Sequence, residues 1–181
     1  MTTKEKLVAS ALKLFNEKWF ENTSTTSICT DAGFSSGALF VHFKTKNELL
    51  DSIYVDIKKK YFSNIFDWLD SNLEISEKFR EIMRKSFDFY LKNYESYTFV
   101  KNFSNSLHIS RVAREEVELE MEAFASVYEE WKEKGIFNDW DFGLILSAIS
   151  WMFYSMVEYV KNNKNISIDE CIDFIMKVVL K

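Results

Sequence analysis

The chain has no proline and only four glycines, Gly33, Gly37, Gly135 and Gly143, in 181 residues. Tight hairpins draw on glycine, proline and asparagine–glycine pairs, so a many-stranded sheet would have almost no turn chemistry to work with. Cysteine is nearly absent as well. Cys29 and Cys171 stand far apart, outside metal-ligand spacing, each in an apolar helical pattern where a free thiol behaves as a small hydrophobe. A reduced, cytoplasmic setting is expected.

Long apolar runs are also missing. The longest uncharged stretch, Phe142 to Val157, holds 16 residues and includes Gly143, Ser147, Ser150 and Ser155, whereas a membrane span needs about 20 apolar residues. Met1 to Leu12 is broken by Lys4, Glu5 and Lys6 and lacks the apolar core of a signal peptide. No membrane partner is expected. Histidine occurs only at 42 and 108, in no cluster with cysteine or carboxylate, and neither follows a glutamate at the three-residue spacing of di-iron bundles. No glycine-rich phosphate loop or nucleophile motif is present. The sequence therefore predicts no enzyme, no cofactor and no metal site.

What is present is helical periodicity. Leu7, Ala11, Leu14 and Phe15 recur on one face, and Thr2 with Glu5 has the capping-box pattern, which predicts a helix over 3–18. Ser24 can cap a short helix over 25–31, Gly33 supplies the left-handed turn after it, and Ser35 can cap the helix that follows. Two helices this short need a partner, here helix 1, reached through Ile28, Cys29, Ala32, Leu39 and Phe43. Thr45 and Glu48 open a long helix to about residue 71, and further helices are predicted near 75–93, 96–108, 110–134, 139–163 and 167–180. The class is all-α with about nine helices: an N-terminal helix-turn-helix domain over 1–47 and a helical bundle over 48–181, to which the resemblance described below assigns ligand binding and dimerisation.

Charge is unevenly placed. The net charge is −5, yet residues 1–47 carry six lysines against four acidic residues, a balance of +2 that leaves −7 for the remainder. The N-terminal piece is the end suited to a polyanion.

The segment from Leu7 to Leu50 resembles the N-terminal domain of TetR-family regulators. The resemblance is carried by Leu14-Phe15, Thr23-Ser24, Ile28-Cys29, Ala32-Gly33, Phe34-Ser35, Gly37, Leu39-Phe40, His42-Phe43, Lys44, Lys46, Glu48 and Leu49, in register. It implies a DNA-binding transcriptional regulator, a ligand-released repressor that holds a palindromic double-stranded operator as a homodimer. Three departures stand out. The glycine usual after helix 1 is replaced near Trp19, Ser36 stands where a lysine or arginine is usual, and Phe40 replaces a tyrosine. The last two remove hydrogen-bond donors from the reading helix.

Carried onto this chain, the resemblance places Ser35, Ser36, Ala38 and His42 toward base edges, with Phe40 at the position that departs from the pattern. Gly37 is expected to permit a close approach, either of backbone to phosphate or of helix to helix. Lys46, at a helix N-terminus, is expected to meet phosphate with Thr25, Thr26, Lys44 and Thr45 supplementing it. Ser35 serves equally as a cap, and His42 equally as a packing residue.

Beyond residue 47 lie 24 of the 30 aromatic residues. Phe62, Phe66, Phe87, Tyr90, Phe99, Phe103, Phe124, Tyr128, Trp151 and Tyr154 are the candidate walls for an apolar, aromatic or cationic small-molecule effector. Each one alone suits an ordinary helical core. Ile145, Ile149, Met152 and Met156, with Ile168, Ile172, Ile175 and Val179, recur at three- and four-residue spacing and are the candidate dimer interface. The alternative to a repressor is an interaction module of the same fold that has lost DNA binding, favoured by Ser36, Phe40 and the absence of arginine before Arg80.

Overall fold

The helices follow from the caps the sequence supplies. In the computed structural model, which describes all residues except 67–72, 136–140, 164 and 181 and omits the side chains of 121–127 and 142, the described residues form eight α-helices, one 3-10 turn and no strand. The helices are α1 (Thr3–Lys18), α2 (Thr25–Asp31), α3 (Lys46–Phe66), α4 (Ile75–Lys92), α5 (Tyr94–Phe103), α6 (Arg111–Glu133), α7 (Phe142–Asn162) and α8 (Ile168–Val179), and the 3-10 turn is Ala38–Val41. The Thr2–Glu5 box is complete at the start of α1, and Ser24 caps α2 through the backbone N–H of Ser27. Gly33 takes its left-handed turn at φ +80°.

Two compact units result: Met1–Lys60 with Asn93–Glu118, and Tyr61–Lys92 with Leu119–Lys181. In the first, Ser10 Oγ donates to Asp31 Oδ2 at 2.7 Å and Lys13 Nζ to Asp31 Oδ1 at 2.8 Å, fastening α1 to α2. The opposite side of α1 meets α5, where Asn16 Nδ2 donates to the Glu95 carbonyl and Phe15 packs against Phe103. The sequence groups Phe99 and Phe103 with the ligand-binding aromatics; the structure instead buries them in this first unit.

The predicted reading helix is much shorter than its pattern implies. It is a single 3-10 turn, entered at Gly37 with no side-chain cap, and the Ser35 carbonyl rather than its hydroxyl receives the Ala38 N–H. Glycine at its entry and one turn of length leave little to propagate a helix. Burial fixes the turn instead: Leu39 is fully buried, Phe43 nearly so, and both backbone N–H groups of His42 and Phe43 donate to the Leu39 carbonyl.

In the second unit α4, α7 and α8 pack together. Ion pairs from Arg80 to Asp173 and from Arg84 to Asp169 join α4 to α8 at the surface. Ile145, Phe153 and Val157 from α7, with Cys171, Ile172, Ile175 and Val179 from α8, form the core beside Phe87 and Tyr90. Gly143–Asn162 is long and apolar enough to cross a membrane by length and composition, and the same helix supplies core residues here.

Leu39→Ala should cost about 2–5 kcal/mol by deleting a fully buried side chain, measured by denaturant unfolding. Val41→Ala, on the exposed side of the same turn, should stay within about 0.5 kcal/mol of wild type.

Candidate nucleic-acid interface

Because Leu39 and Phe43 face inward, the residues between and around them face out. Thr26, Ser35, Ser36, Gly37, Phe40, Val41, His42, Lys44 and Thr45 are exposed, and Thr25 and Ala38 are half-buried. Cys29 Sγ donates weakly to the Ser36 carbonyl at 3.6 Å, holding the approach to the turn against α2. A β-carbon at Gly37 would meet nothing within 4 Å, so no neighbour within the chain demands glycine there, and helix-to-helix approach is not its role. Two more lysines, from α1, border this surface: Lys4 Nζ lies 5.4 Å from the Phe43 ring centre and Lys6 Nζ 5.9 Å from that of Phe34.

Lys46 has a different role from the one its position implies. Its Nζ donates to the carbonyls of Phe20 at 2.7 Å and Thr23 at 2.9 Å, and lies 4.0 Å from the Phe20 ring centre. Two of the three ammonium donors are thus directed at the α1–α2 loop. Burial lowers its affinity for the proton below the ordinary lysine value, with the Glu21 charge opposing. The Phe20 carbonyl also accepts from the Thr23 N–H at 3.2 Å, so Lys46 is its second donor. Trp19, standing where the family has glycine, adopts φ +66°, a left-handed conformation that a side chain strains. Thr23 Oγ1 donates to the carbonyls of Trp19 at 2.8 Å and Leu14 at 3.2 Å, and Trp19 rests on Phe103.

Sequence reasoning missed the residues that complete this knot. His108, in the loop before α6, stacks on the Phe20 ring with centres 4.3 Å apart, and its Nε2 lies 2.5 Å from Glu21 Oε1. The backbone N–H of Glu21, then His108, holds that carboxyl below its ordinary value. Asn47 Nδ2 donates to the His108 carbonyl, and Asp51 accepts from the Ser110 N–H. These partners lie 59 to 87 residues apart in the chain, so no local pattern marks them. Elsewhere in this unit a groove of about 420 Å³, bordered by Glu48, Asp51, Asp56 and Glu116, carries the wrong charge for phosphate.

Residues 7–53 match the bacterial regulatory proteins of the tetR family. This N-terminal segment is thus similar to the tetR-family domain. YerO of Bacillus subtilis (strain 168), an uncharacterized HTH-type transcriptional regulator, is 34% identical over 65 residues, which make up 34% of this chain and 22% of YerO. The chain spans between 22% and 42% of the curated relatives it matches. Two solved tetR-family structures share the fold across nearly its whole length. A transcription regulator from Marinobacter aquaeolei VT8 has a TM-score of 0.87 at 15% identity, covering 99% of this chain and 96% of that one. A regulatory protein from Rhodococcus RHA1 has a TM-score of 0.81 at 16% identity, covering 99% and 97%. The family and these relatives are regulators rather than enzymes.

The aromatic candidates divide on inspection. In the second unit Phe62 stacks on Phe66, and Tyr90 meets Tyr61, Phe89, Phe153 and Tyr154, while Phe87 meets Phe153 edge-on. Tyr128 is buried in the same unit, and the Phe124 side chain lies outside the described residues. Phe89 and Phe153 belong to the cluster although the sequence did not single them out as ligand walls. Tyr61 and Ser86 bond at 3.0 Å within it; Ser86 Oγ donates to the Ile82 carbonyl, and burial pushes the Tyr61 hydroxyl up to about 12. Trp151 is 73% exposed and no cavity wall.

The α7 and α8 faces are displaced from the expected interface. Ile145, Ile172, Ile175 and Val179 are buried inside the unit and cannot be the surface a partner meets. Ile149, Met152, Met156 and Ile168 are half-buried at its margin, while Leu144, Trp151 and Tyr159 on α7 and Phe174 and Val178 on α8 are exposed. The sequence periodicity finds an apolar stripe but not which of two adjacent stripes the core takes, because α7 is apolar on both.

Lys46→Ala should destabilise the fold by about 1–3 kcal/mol, since it removes the side-chain donor of the Thr23 carbonyl and the second donor of the Phe20 carbonyl, as read by chemical unfolding. Lys44→Ala should leave stability unchanged and reduce by about one the salt slope of binding to a generic duplex.

Proposed function

We propose that the chain is a ligand-released repressor that binds a palindromic double-stranded operator as a homodimer in the cytoplasm, with residues 1–47 as its reading head and 48–181 as its sensing and dimerising part. The observation that carries this reading is the exposure, within the matched segment, of Thr26, Ser35, Ser36, His42, Lys44 and Thr45, with Lys4 beside Phe43 and Lys6 beside Phe34. Hydroxyls and ammonium groups so placed suit phosphate and base edges. Lys46 assists indirectly in this account, by holding the loop before α2.

A dimer is favoured by the exposed apolar face of α7 and α8. Leu144, Trp151 and Tyr159 lie along one side of α7, and Phe174 and Val178 are one turn apart on α8. A single copy leaves these large groups in water; a symmetry mate would bury them as a four-helix contact. A palindromic operator with half-sites one DNA turn apart calls for two reading turns about 34–36 Å apart.

An apolar or aromatic effector is favoured by the Phe62, Phe66, Phe87 and Tyr90 cluster with its Tyr61–Ser86 hydroxyl pair, which supplies a polar anchor in an apolar setting. The effector acts by binding the DNA-competent arrangement less tightly than the released one.

Trp151→Glu should shift the dimer toward monomer in sedimentation at micromolar concentration; a wild-type chain that sediments as a monomer contradicts the dimer. In a screen of lipophilic cations, dyes and fatty acids, a compound that quenches intrinsic tryptophan fluorescence should weaken operator binding about 5- to 150-fold, read by anisotropy of a labelled duplex. Quenching with unchanged operator affinity would refute the coupling.

A further inference from the structure

The reading turn lacks the residues that recognise three of the four bases. Arginine or lysine reads guanine, asparagine or glutamine reads adenine, and aspartate or glutamate reads the cytosine amino group, each by hydrogen bonds in the major groove. Residues 35–41 run Ser-Ser-Gly-Ala-Leu-Phe-Val and contain none of them. The backbone offers little in their place, since the N–H groups of Ala38, Phe40 and His42 donate to the carbonyls of Ser35, Gly37 and Leu39.

What the turn does present is apolar surface. Val41 is 79% exposed and Phe40 55% exposed, while Leu39 between Ala38 and Phe40 is fully buried. Two large apolar side chains are therefore held outward by an anchor that faces inward. Lys44 is exposed beside them, and Lys4 lies over the Phe43 ring two residues further on, so the patch is bordered by cations that suit a polyanionic occupant. The one base-edge feature in the major groove that an apolar side chain can recognise is the C5-methyl group of thymine.

We infer that Val41 and Phe40 are specificity-determining residues that read thymine methyl groups, so that this chain selects its operator by burying methyls rather than by side-chain hydrogen bonds to bases. Ser35 and Ser36 supply exposed hydroxyls beside them, and a serine hydroxyl discriminates weakly because it pairs with several bases. The inference rests on the DNA-binding reading and narrows it to thymine-bearing half-sites.

The test uses a duplex enriched by the wild-type chain from a randomised pool, then resynthesised with deoxyuridine in place of thymidine, one position at a time. Deoxyuridine keeps the pairing and removes only the methyl. Wild type should lose about fourfold in affinity for each contacted methyl removed, and Val41→Ala and Phe40→Ala should bind the thymidine and deoxyuridine duplexes more nearly alike. Thermal melting of both variants checks that the turn stays folded. Equal wild-type affinity for all the deoxyuridine duplexes, with specific binding retained, overturns the methyl reading and leaves the DNA-binding proposal standing. Unchanged discrimination in folded Val41→Ala and Phe40→Ala overturns the residue assignment. A pool that yields no enriched duplex overturns both the inference and the reading beneath it.

Discussion

The ammonium group of Lys46 joins three segments of the first unit, and the placement of the exposed reading surface depends on that junction. It donates to the carbonyls of Phe20 and Thr23 from the first turn of α3, and the ring it lies over is stacked on its other contact, His108. A half-buried cation is less favourable without partners. Here two carbonyls and an aromatic face provide them, and in return the Phe20 and Thr23 carbonyls of the loop between α1 and α2 gain a side-chain donor.

The consequence for function is geometric. With α2 held by Asp31 to α1 and the loop held by Lys46 to α3, the short turn at 38–41 needs only Leu39 and Phe43 as anchors. Everything else on it is free to face outward. Such a turn need not be stable as a helix, because packing of two side chains fixes its orientation. A lysine that looks like a phosphate ligand by position thus supports the reading surface from behind, and Lys4, Lys6 and Lys44 are the cations left near that surface.

Features set by neighbouring residues were legible in the sequence: the Thr2–Glu5 box, the Ser24 cap, the Gly33 turn and the apolar face of α1 all form where their patterns lie. Features set by distant partners were not. Lys46 has the same local pattern whether it meets phosphate or the Phe20 carbonyl 26 residues away, and His108 carries no mark of its contact with Glu21. The 3-10 turn was read as a helix because its apolar spacing fits both. On α7 and α8 the apolar stripe was found, but Ile145, Ile172, Ile175 and Val179 of it are buried within the unit, while Leu144 and Phe174 are exposed. A helix apolar on two sides gives periodicity no means to choose.

The central claim is that nucleic acid meets the surface around the 3-10 turn while the Lys46 knot keeps its contacts within the chain. Amide hydrogen exchange with and without a duplex enriched by the wild-type chain tests both halves in one measurement. The account predicts slowed exchange over 35–45 and at Thr25 and Thr26 on binding, with the amides of 19–23 protected to the same degree in either state. Slowed exchange confined to α4, α7 or α8, with 35–45 unchanged, would contradict it.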